Sequence, residues 1–143
     1  MSNERIAAEL EIRNVLARLA HLADLGDTDG YLQLLTDDVV WAMPPNPANG
    51  LPASERRGHD EIGAGQRDRI ASGLQGPGSN TKHVVTTSWV DVQGDDVAIA
   101  HSYFHFWADT ATTPKLQNMG TYADEFRRTG TGWQLARRSI SFG

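Results

Sequence analysis

Residues 4–25, ERIAAELEIRNVLARLAHLADL, are predicted to form one long helix, around which the rest of the chain is organised. Apolar residues recur there at the three- and four-residue spacing of a helix, so one stripe must be buried; they are Ile12, Val15, Leu16, Leu19, Leu22 and Ala23. Gly26 is expected to end the helix, because glycine readily adopts the left-handed conformation that closes helices. Asp24 then lies in the last turn beside the buried stripe, where the helix dipole disfavours an anion. A residue that breaks a local rule in this way is a candidate functional residue.

The composition favours one globular domain that binds a small molecule. The 143 residues are 39% hydrophobic, enough for a core, and we expect a single domain over residues 1–143. A net charge of −5 disfavours partnership with a nucleic acid or an anionic membrane. The chain has no cysteine, which excludes disulfides and thiolate metal sites. The first residues are charged and no apolar run could span a bilayer, so a cytoplasmic location is expected.

The rest of the chain divides into a helical half and a strand half. A short second helix is expected after Gly26, a strand in Val39–Met43, a long irregular loop over residues 44–58, and a third helix from His59 to Ser72. Four β-rich runs separated by turns follow between Thr81 and Phe142 and predict an antiparallel meander. Helices first and a meander afterwards predict an α+β fold, with the helices on one face of a curved sheet.

The strand run from Asp96 to Asp109 has apolar residues on both of its faces, which indicates burial on both sides. We expect the face with His101, Tyr103 and His105 to point toward the helices. The opposite face would then be bare; its residues are Ala98, Ala100, Phe104 and Phe106. A bare apolar face predicts association with further copies of the chain, as a homo-oligomer of two or three subunits.

Four polar aromatic side chains in two strands are candidates for chemistry. His83 begins one strand, while His101, Tyr103 and His105 share a face of the next by the two-residue period of a strand. If both sets face the helices, three imidazoles and a phenol converge; each could equally be an ordinary core or surface residue. Three histidines with Asp24 could hold Zn²⁺ or Fe²⁺. However, His101 and His105 lie about 13 Å apart along an extended strand, so neither a metal nor another cofactor is expected.

The order of several short segments resembles a known family. After a helix that ends in an aspartate come DDVVW (37–41), TKH (81–83), GDDVAIAHSY (94–103), GTYADEFRR (120–128) and GWQLARR (132–138). This order is similar, over nearly the whole chain, to the SnoaL-like branch of the nuclear transport factor 2 superfamily. The resemblance implies a cone-shaped α+β barrel of the NTF2-like, or cystatin-like, kind. A strongly bent antiparallel sheet would wrap around the long N-terminal helix and leave a deep pocket.

Within that superfamily the chain most resembles scytalone dehydratase, hexachlorocyclohexane dehydrochlorinase and the bile-acid dehydratase-like enzymes. These enzymes pair an aspartate at the end of the first helix with a histidine at the start of the strand after the third helix. Asp24 and His83 match these two positions, which implies that they are catalytic. A hydrogen bond from His83 to Asp24 would fix the imidazole tautomer and leave the second ring nitrogen free as a base.

The resemblance also implies roles for further residues and shows two departures. Arg138 matches a pocket arginine, and Tyr103 or His105 would be the second polar group of the site. The dehydrochlorinase has a lysine late in its first helix where this chain has Leu19, and scytalone dehydratase has a tyrosine where this chain has Ala23. The complete site of either enzyme therefore does not transfer.

These observations predict a cofactor-independent, dehydratase-like lyase that acts on a small cyclic or aromatic-like substrate. Asp24 and His83 would do the chemistry; the residues expected to bind the substrate are Trp41, Val85, Tyr103, His105, Met119 and Arg138. An isomerase or polyketide cyclase could use the same base. A non-catalytic binding or partner subunit, resembling the β-subunit of ring-hydroxylating dioxygenases, is the third alternative, because the fold alone does not choose between them.

Overall fold

The computed structural model describes residues 2–48 and 50–143, which form three helices and a six-stranded sheet. The helices are α1 (Asn3–Leu25), α2 (Thr28–Gln33) and α3 (Gly58–Ala71). Ser2 caps α1 by accepting a hydrogen bond from the N–H of Arg5, and Gly26 ends the helix in the left-handed conformation with φ = 74°. Both features satisfy backbone groups that a helix end leaves unpaired.

The sheet has the order β2-β1-β6-β5-β4-β3 and confirms the predicted α+β class. Its strands are β1 (Leu35–Met43), β2 (Ser54–Arg57), β3 (Lys82–Val92), β4 (Val97–Ala108), β5 (Lys115–Thr129) and β6 (Gly132–Phe142). Strands β3 to β6 form the predicted antiparallel meander. Two features were not predicted: β1 pairs with β6 in parallel, and a short strand, β2, forms within the segment expected to be a loop.

The sheet bends around α1 and encloses the core between them. β3 carries a bulge in which Thr87 has φ = 53° and the register with β4 shifts. Bulges of this kind bend a strand and increase its twist. Residues from the helix stripe and from the inner face of the sheet form one buried cluster, in which Ile12, Leu35, Val39, Phe126 and Leu135 are completely excluded from solvent or nearly so.

The two faces of β4 are reversed relative to the prediction. Buried residues point inward toward the helices; they are Ala98, Ala100, Ser102, Phe104, Phe106 and Ala108. The face that carries His101, Tyr103 and His105 points outward. The physical reason is space, because the two alanines belong to the same buried cluster as the side chains of α1 and leave room for the helix. Large side chains on that face appear only at Phe104 and Phe106, where the core opens into a cavity.

Among the described residues, none of the helices combines the length and the apolar character that crossing a membrane would require.

Candidate active site

A cavity of about 490 Å³ lies between the helices and the inner face of the sheet. All three helices and all six strands contribute to its wall, together with the segments before β2 and after α3. Most of the wall is apolar or aromatic, and a few polar side chains project into it, which is the usual make-up of a small-molecule site.

Asp24 and His83 meet at this cavity. The imidazole Nδ1 of His83 lies 2.8 Å from Oδ1 of Asp24, and the backbone N–H of His83 donates to both carboxylate oxygens at 3.2 and 3.1 Å. An ionised carboxylate only accepts hydrogen bonds, so Nδ1 carries the proton in this contact. Nε2 is then the unprotonated nitrogen of the neutral ring, and no hydrogen bond to it forms within residues 2–48 and 50–143. The predicted hydrogen bond is confirmed, while the catalytic role of the pair stays a prediction.

The local sequence explains how this contact forms. Gly26 ends α1 two residues after Asp24, so the Asp24 carboxylate lies at the end of the helix. His83 is the second residue of β3. The N–H and the ring of His83 supply donors to a carboxylate that would otherwise face the negative end of the helix dipole. Both side chains are mostly shielded from solvent, with 17% of His83 and 20% of Asp24 exposed.

A buried ion pair forms a second polar group in the wall. Arg138 on β6 donates from Nε and Nη2 to the two carboxylate oxygens of its neighbour Asp124 on β5, at 2.8 and 2.9 Å. The guanidinium also lies 3.8 Å from the ring centre of Tyr122 and 5.2 Å from that of Trp41. Burial lowers the pKa of Arg138, but the adjacent Asp124 carboxylate outweighs this effect and raises the pKa. Arg138 is therefore a fixed, permanent cation at the cavity.

Two phenols line the cavity beside Arg138. Tyr31 of α2 and Tyr122 of β5 are both buried. Burial raises the pKa of each phenol, although the positive charge of Arg138 lowers it in part. Tyr122 lines the same cavity as His83. Both hydroxyls stay protonated at neutral pH and can donate hydrogen bonds.

The predicted substrate-binding residues divide into two groups. Trp41, Val85 and Arg138 line the cavity as expected, although binding of a substrate by them stays a prediction. The positions of Tyr103, His105 and Met119 were predicted wrongly. Tyr103 is 51% exposed and Met119 is 43% exposed, and His105 lies beside them on the outer face of the sheet. The cause is the reversed parity of β4, which carries Met119 outward as well, because it pairs with His105.

The three histidines therefore do not converge. His101 stacks on Trp89 at the outer face with 4.5 Å between ring centres, and His105 lies on the same face. In the part of the chain that the structure describes, no group of three histidine, aspartate or glutamate side chains is placed to hold a metal ion.

Several cavity residues were missed by sequence reasoning. These are Tyr31, Phe104, Phe106, Tyr122, Arg56 and Arg69. The small residues Ala98, Ala100 and Ser102, which alternate along β4 in step with Phe104 and Phe106, were the signal for the inward face. Leu19 and Ala23, the two departures named above, also line the cavity.

Comparison with known proteins identifies the family of this chain. The family model for the SnoaL-like domain matches residues 4–139, so the chain belongs to the SnoaL-like family. No protein of curated function matches the chain. An NTF2-like protein with a cystatin-like fold from Novosphingobium aromaticivorans is 25% identical, with a TM-score of 0.77 over 96% of this chain and 82% of that one. The fold is accordingly the NTF2-like, cystatin-like fold.

Two further solved structures from the same organism are similar. A candidate aromatic ring hydroxylase is 26% identical, with a TM-score of 0.76 over 96% of this chain and 90% of its own. A candidate scytalone dehydratase has a TM-score of 0.80 and 15% identity, covering all of this chain and 89% of its own. The second likeness shows the fold alone.

Proposed function

We propose that the protein is a cofactor-independent, dehydratase-like lyase in which His83 is the general base. The observation that carries this proposal is the 2.8 Å contact between Nδ1 of His83 and Asp24, made at the wall of a largely apolar cavity. Asp24 accepts a hydrogen bond from the Nδ1–H of His83, so the unprotonated Nε2 is the nitrogen available to a bound substrate. A buried carboxylate that orients an imidazole is the base half of a catalytic triad.

The reaction that suits this pair is elimination from a cyclic β-hydroxy carbonyl compound. Nε2 of His83 takes a proton from the carbon next to the carbonyl, and the electron pair of the broken C–H bond forms an enolate. The enolate then forms the C=C bond as the C–O bond to the hydroxyl group breaks. The hydroxyl group leaves as water with the proton that His83 had accepted, which restores the neutral imidazole. A positioned base of this kind contributes roughly 10²–10⁴-fold.

The phenols and the arginine supply the electrophilic part of the site. Tyr122 and Tyr31 are neutral donors in the same wall, and a hydrogen bond from either one to the carbonyl oxygen would stabilise the enolate. Arg138 lies against the Tyr122 ring, which helps to hold this phenol in the cavity wall. In this proposal the two phenols have the role that was predicted for Tyr103 and His105, both of which lie outside the cavity.

An isomerase or a polyketide cyclase would use the same first step, the removal of a proton by His83. The product distinguishes them, because elimination gives water and an unsaturated ring. A non-catalytic subunit has no need of a hydrogen-bonded carboxylate and imidazole at its cavity, so the pair favours an enzyme.

The test is turnover of a panel of cyclic β-hydroxy ketones, with and without a carboxylate substituent, followed by the ultraviolet absorbance of the conjugated product. His83→Ala should lower kcat by about 10²-fold or more, since the base is lost. His105→Ala is the control: it removes an imidazole from the outer face of the sheet and should leave kcat unchanged. Equal rates for both variants would assign the base elsewhere, and the absence of turnover by the wild-type protein across the panel would favour a binding function.

A further inference from the structure

The charge of the cavity is opposite to that of the whole protein. The chain has a net charge of −5, yet three arginines and His83 line the cavity, and no aspartate or glutamate does so among the residues that the structure describes. Arg138 is neutralised by Asp124, and His83 is bonded to Asp24. The two remaining arginines are Arg56 and Arg69, and neither has a carboxylate partner in the cavity wall.

Arg56 is held against α3 without a bond to any other side chain. Its guanidinium lies directly over Gly65, where even a Cβ atom would collide with Nη1. Within the described residues the Arg56 side chain forms no hydrogen bond or ion pair, while its backbone belongs to the β1–β2 ladder. The nearest carboxylate in sequence, Glu55, is bonded instead to Arg57 and Arg137. The missing side chain at Gly65 therefore gives the Arg56 guanidinium its place at the cavity.

Arg69 comes from α3, four residues after Gly65 and so about one helical turn from the place where the Arg56 guanidinium lies. Its Nε donates to Oε1 of the buried Gln75 at 2.9 Å, and its Cζ lies 5.5 Å from the ring centre of Phe106. Burial lowers the pKa of Arg69, and the positive charge of Arg56 lowers it further. A guanidinium nevertheless stays protonated at neutral pH. Neither guanidinium has a carboxylate partner in the cavity wall, so an anion bound between them would be attracted by both.

We propose that the substrate is an organic anion whose carboxylate binds to Arg56 and Arg69. Arginine guanidinium groups suit this ligand because their planar N–H groups match the two oxygens of a carboxylate. The inference rests on the proposed use of the cavity as the substrate site and adds the chemical class of the substrate.

The aromatic ring of Phe106 connects the anion-binding end of the cavity to the base. It contacts His83 at 4.6 Å between ring centres and lies beneath the Arg69 guanidinium. A flat ring bound along Phe106 would place its carboxylate at the arginines and a ring carbon near His83. The favoured substrate is therefore a cyclic or aromatic acid, instead of a neutral ring of the same size.

The proposal is tested with two probes of the same shape, 2-naphthoate and 2-naphthamide, by isothermal titration calorimetry on the wild-type protein. We expect the anion to bind at least about tenfold more tightly than the amide, as charge-assisted hydrogen bonds allow. Added salt should weaken only the binding of the anion, because it screens partly exposed charges.

Arginine variants show which residues cause the preference for the anion over the amide. Arg56→Gln with Arg69→Gln should abolish the difference between the probes, and Arg56→Gln alone should reduce it. Arg56 bonds to no other side chain, so this single variant retains the fold. Arg67→Gln removes an exposed arginine of α3 that pairs with Asp29, and should retain the preference. Equal binding of both probes, or a preference that survives the double substitution, would overturn the proposal. Because binding is measured, this outcome is independent of whether His83 abstracts a proton.

Discussion

Asp24 shows how a locally unfavourable residue can indicate a site. A carboxylate at a helix C-terminus costs roughly 0.3–1 kcal/mol, and the hydrogen bonds from the N–H and the ring of His83 offset this cost. The sequence alone placed Asp24 correctly, because helix periodicity and Gly26 fix the end of α1. Its partner was identified by resemblance, since no local pattern in the sequence states which residue of a distant strand meets a helix end.

The buried phenols give a prediction about alkaline pH. The raised pKa values of Tyr31 and Tyr122 mean that the folded protein retains protons which the unfolded chain releases above about pH 10. Stability from these groups is thus fully present below that pH and falls as the pH rises further. In a pH titration, the phenolate absorbance of Tyr31 and Tyr122 should develop together with unfolding. Tyr31→Phe should reduce the loss of stability, and phenolate formation by both residues in the folded protein would contradict their burial.

At the scale of elements, the helices and the meander could be predicted and the edge of the sheet could not. Periodicity and turn residues define α1, α3 and the strands from β3 to β6. The four residues of the short strand β2 are all polar or charged and all belong to the exposed class, so the strand carries no apolar alternation; they are Ser54, Glu55, Arg56 and Arg57. Which face of β4 points inward was ambiguous, because both faces are partly apolar. The bulge at Thr87 in β3, which shifts the register between β3 and β4, has no signal in the sequence.

The ion pair between β5 and β6 should be essential for stability. Asp124→Ala leaves Arg138 buried without its counter-charge, which should lower the free energy of unfolding by about 3–5 kcal/mol. Denaturant titration followed by circular dichroism measures this change. Glu55→Ala removes an exposed carboxylate near Arg137 and should cost less than about 1 kcal/mol. If the two variants were equally stable, the buried pair would have no special structural role.

The face of β4 that was expected to point outward is buried, so an oligomer would have to form on a different surface of the protein. The four residues expected to be bare are buried, so they cannot form an interface. The outer face of the sheet instead exposes large apolar and aromatic residues; these include Trp89, Tyr103 and Met119. Contiguous exposed apolar surface is typical of an interaction site. Association of two copies through this outer face is a proposal, in place of the interface that the sequence predicted.

Sedimentation velocity at micromolar concentration tests this association. The wild-type protein should sediment as an oligomer, and Tyr103→Glu should dissociate it, because a buried unpaired charge is costly at an interface. Leu10→Glu places the same charge on the exposed surface of α1 and should leave the oligomer intact. A wild-type monomer would contradict the proposed interface.

In the proposed reaction His83, oriented by Asp24, removes a proton from carbon. Hydrogen–deuterium exchange into a cyclic ketone acid without a leaving group measures this step alone, because the analogue stops after proton abstraction. In D₂O the wild-type protein should accelerate exchange next to the carbonyl, because solvent deuterium replaces the proton that His83 removes from carbon. His83→Ala should abolish the acceleration, Asp24→Asn should reduce it, and His105→Ala should not affect it. Undiminished exchange by His83→Ala would contradict the assignment of His83 as the base.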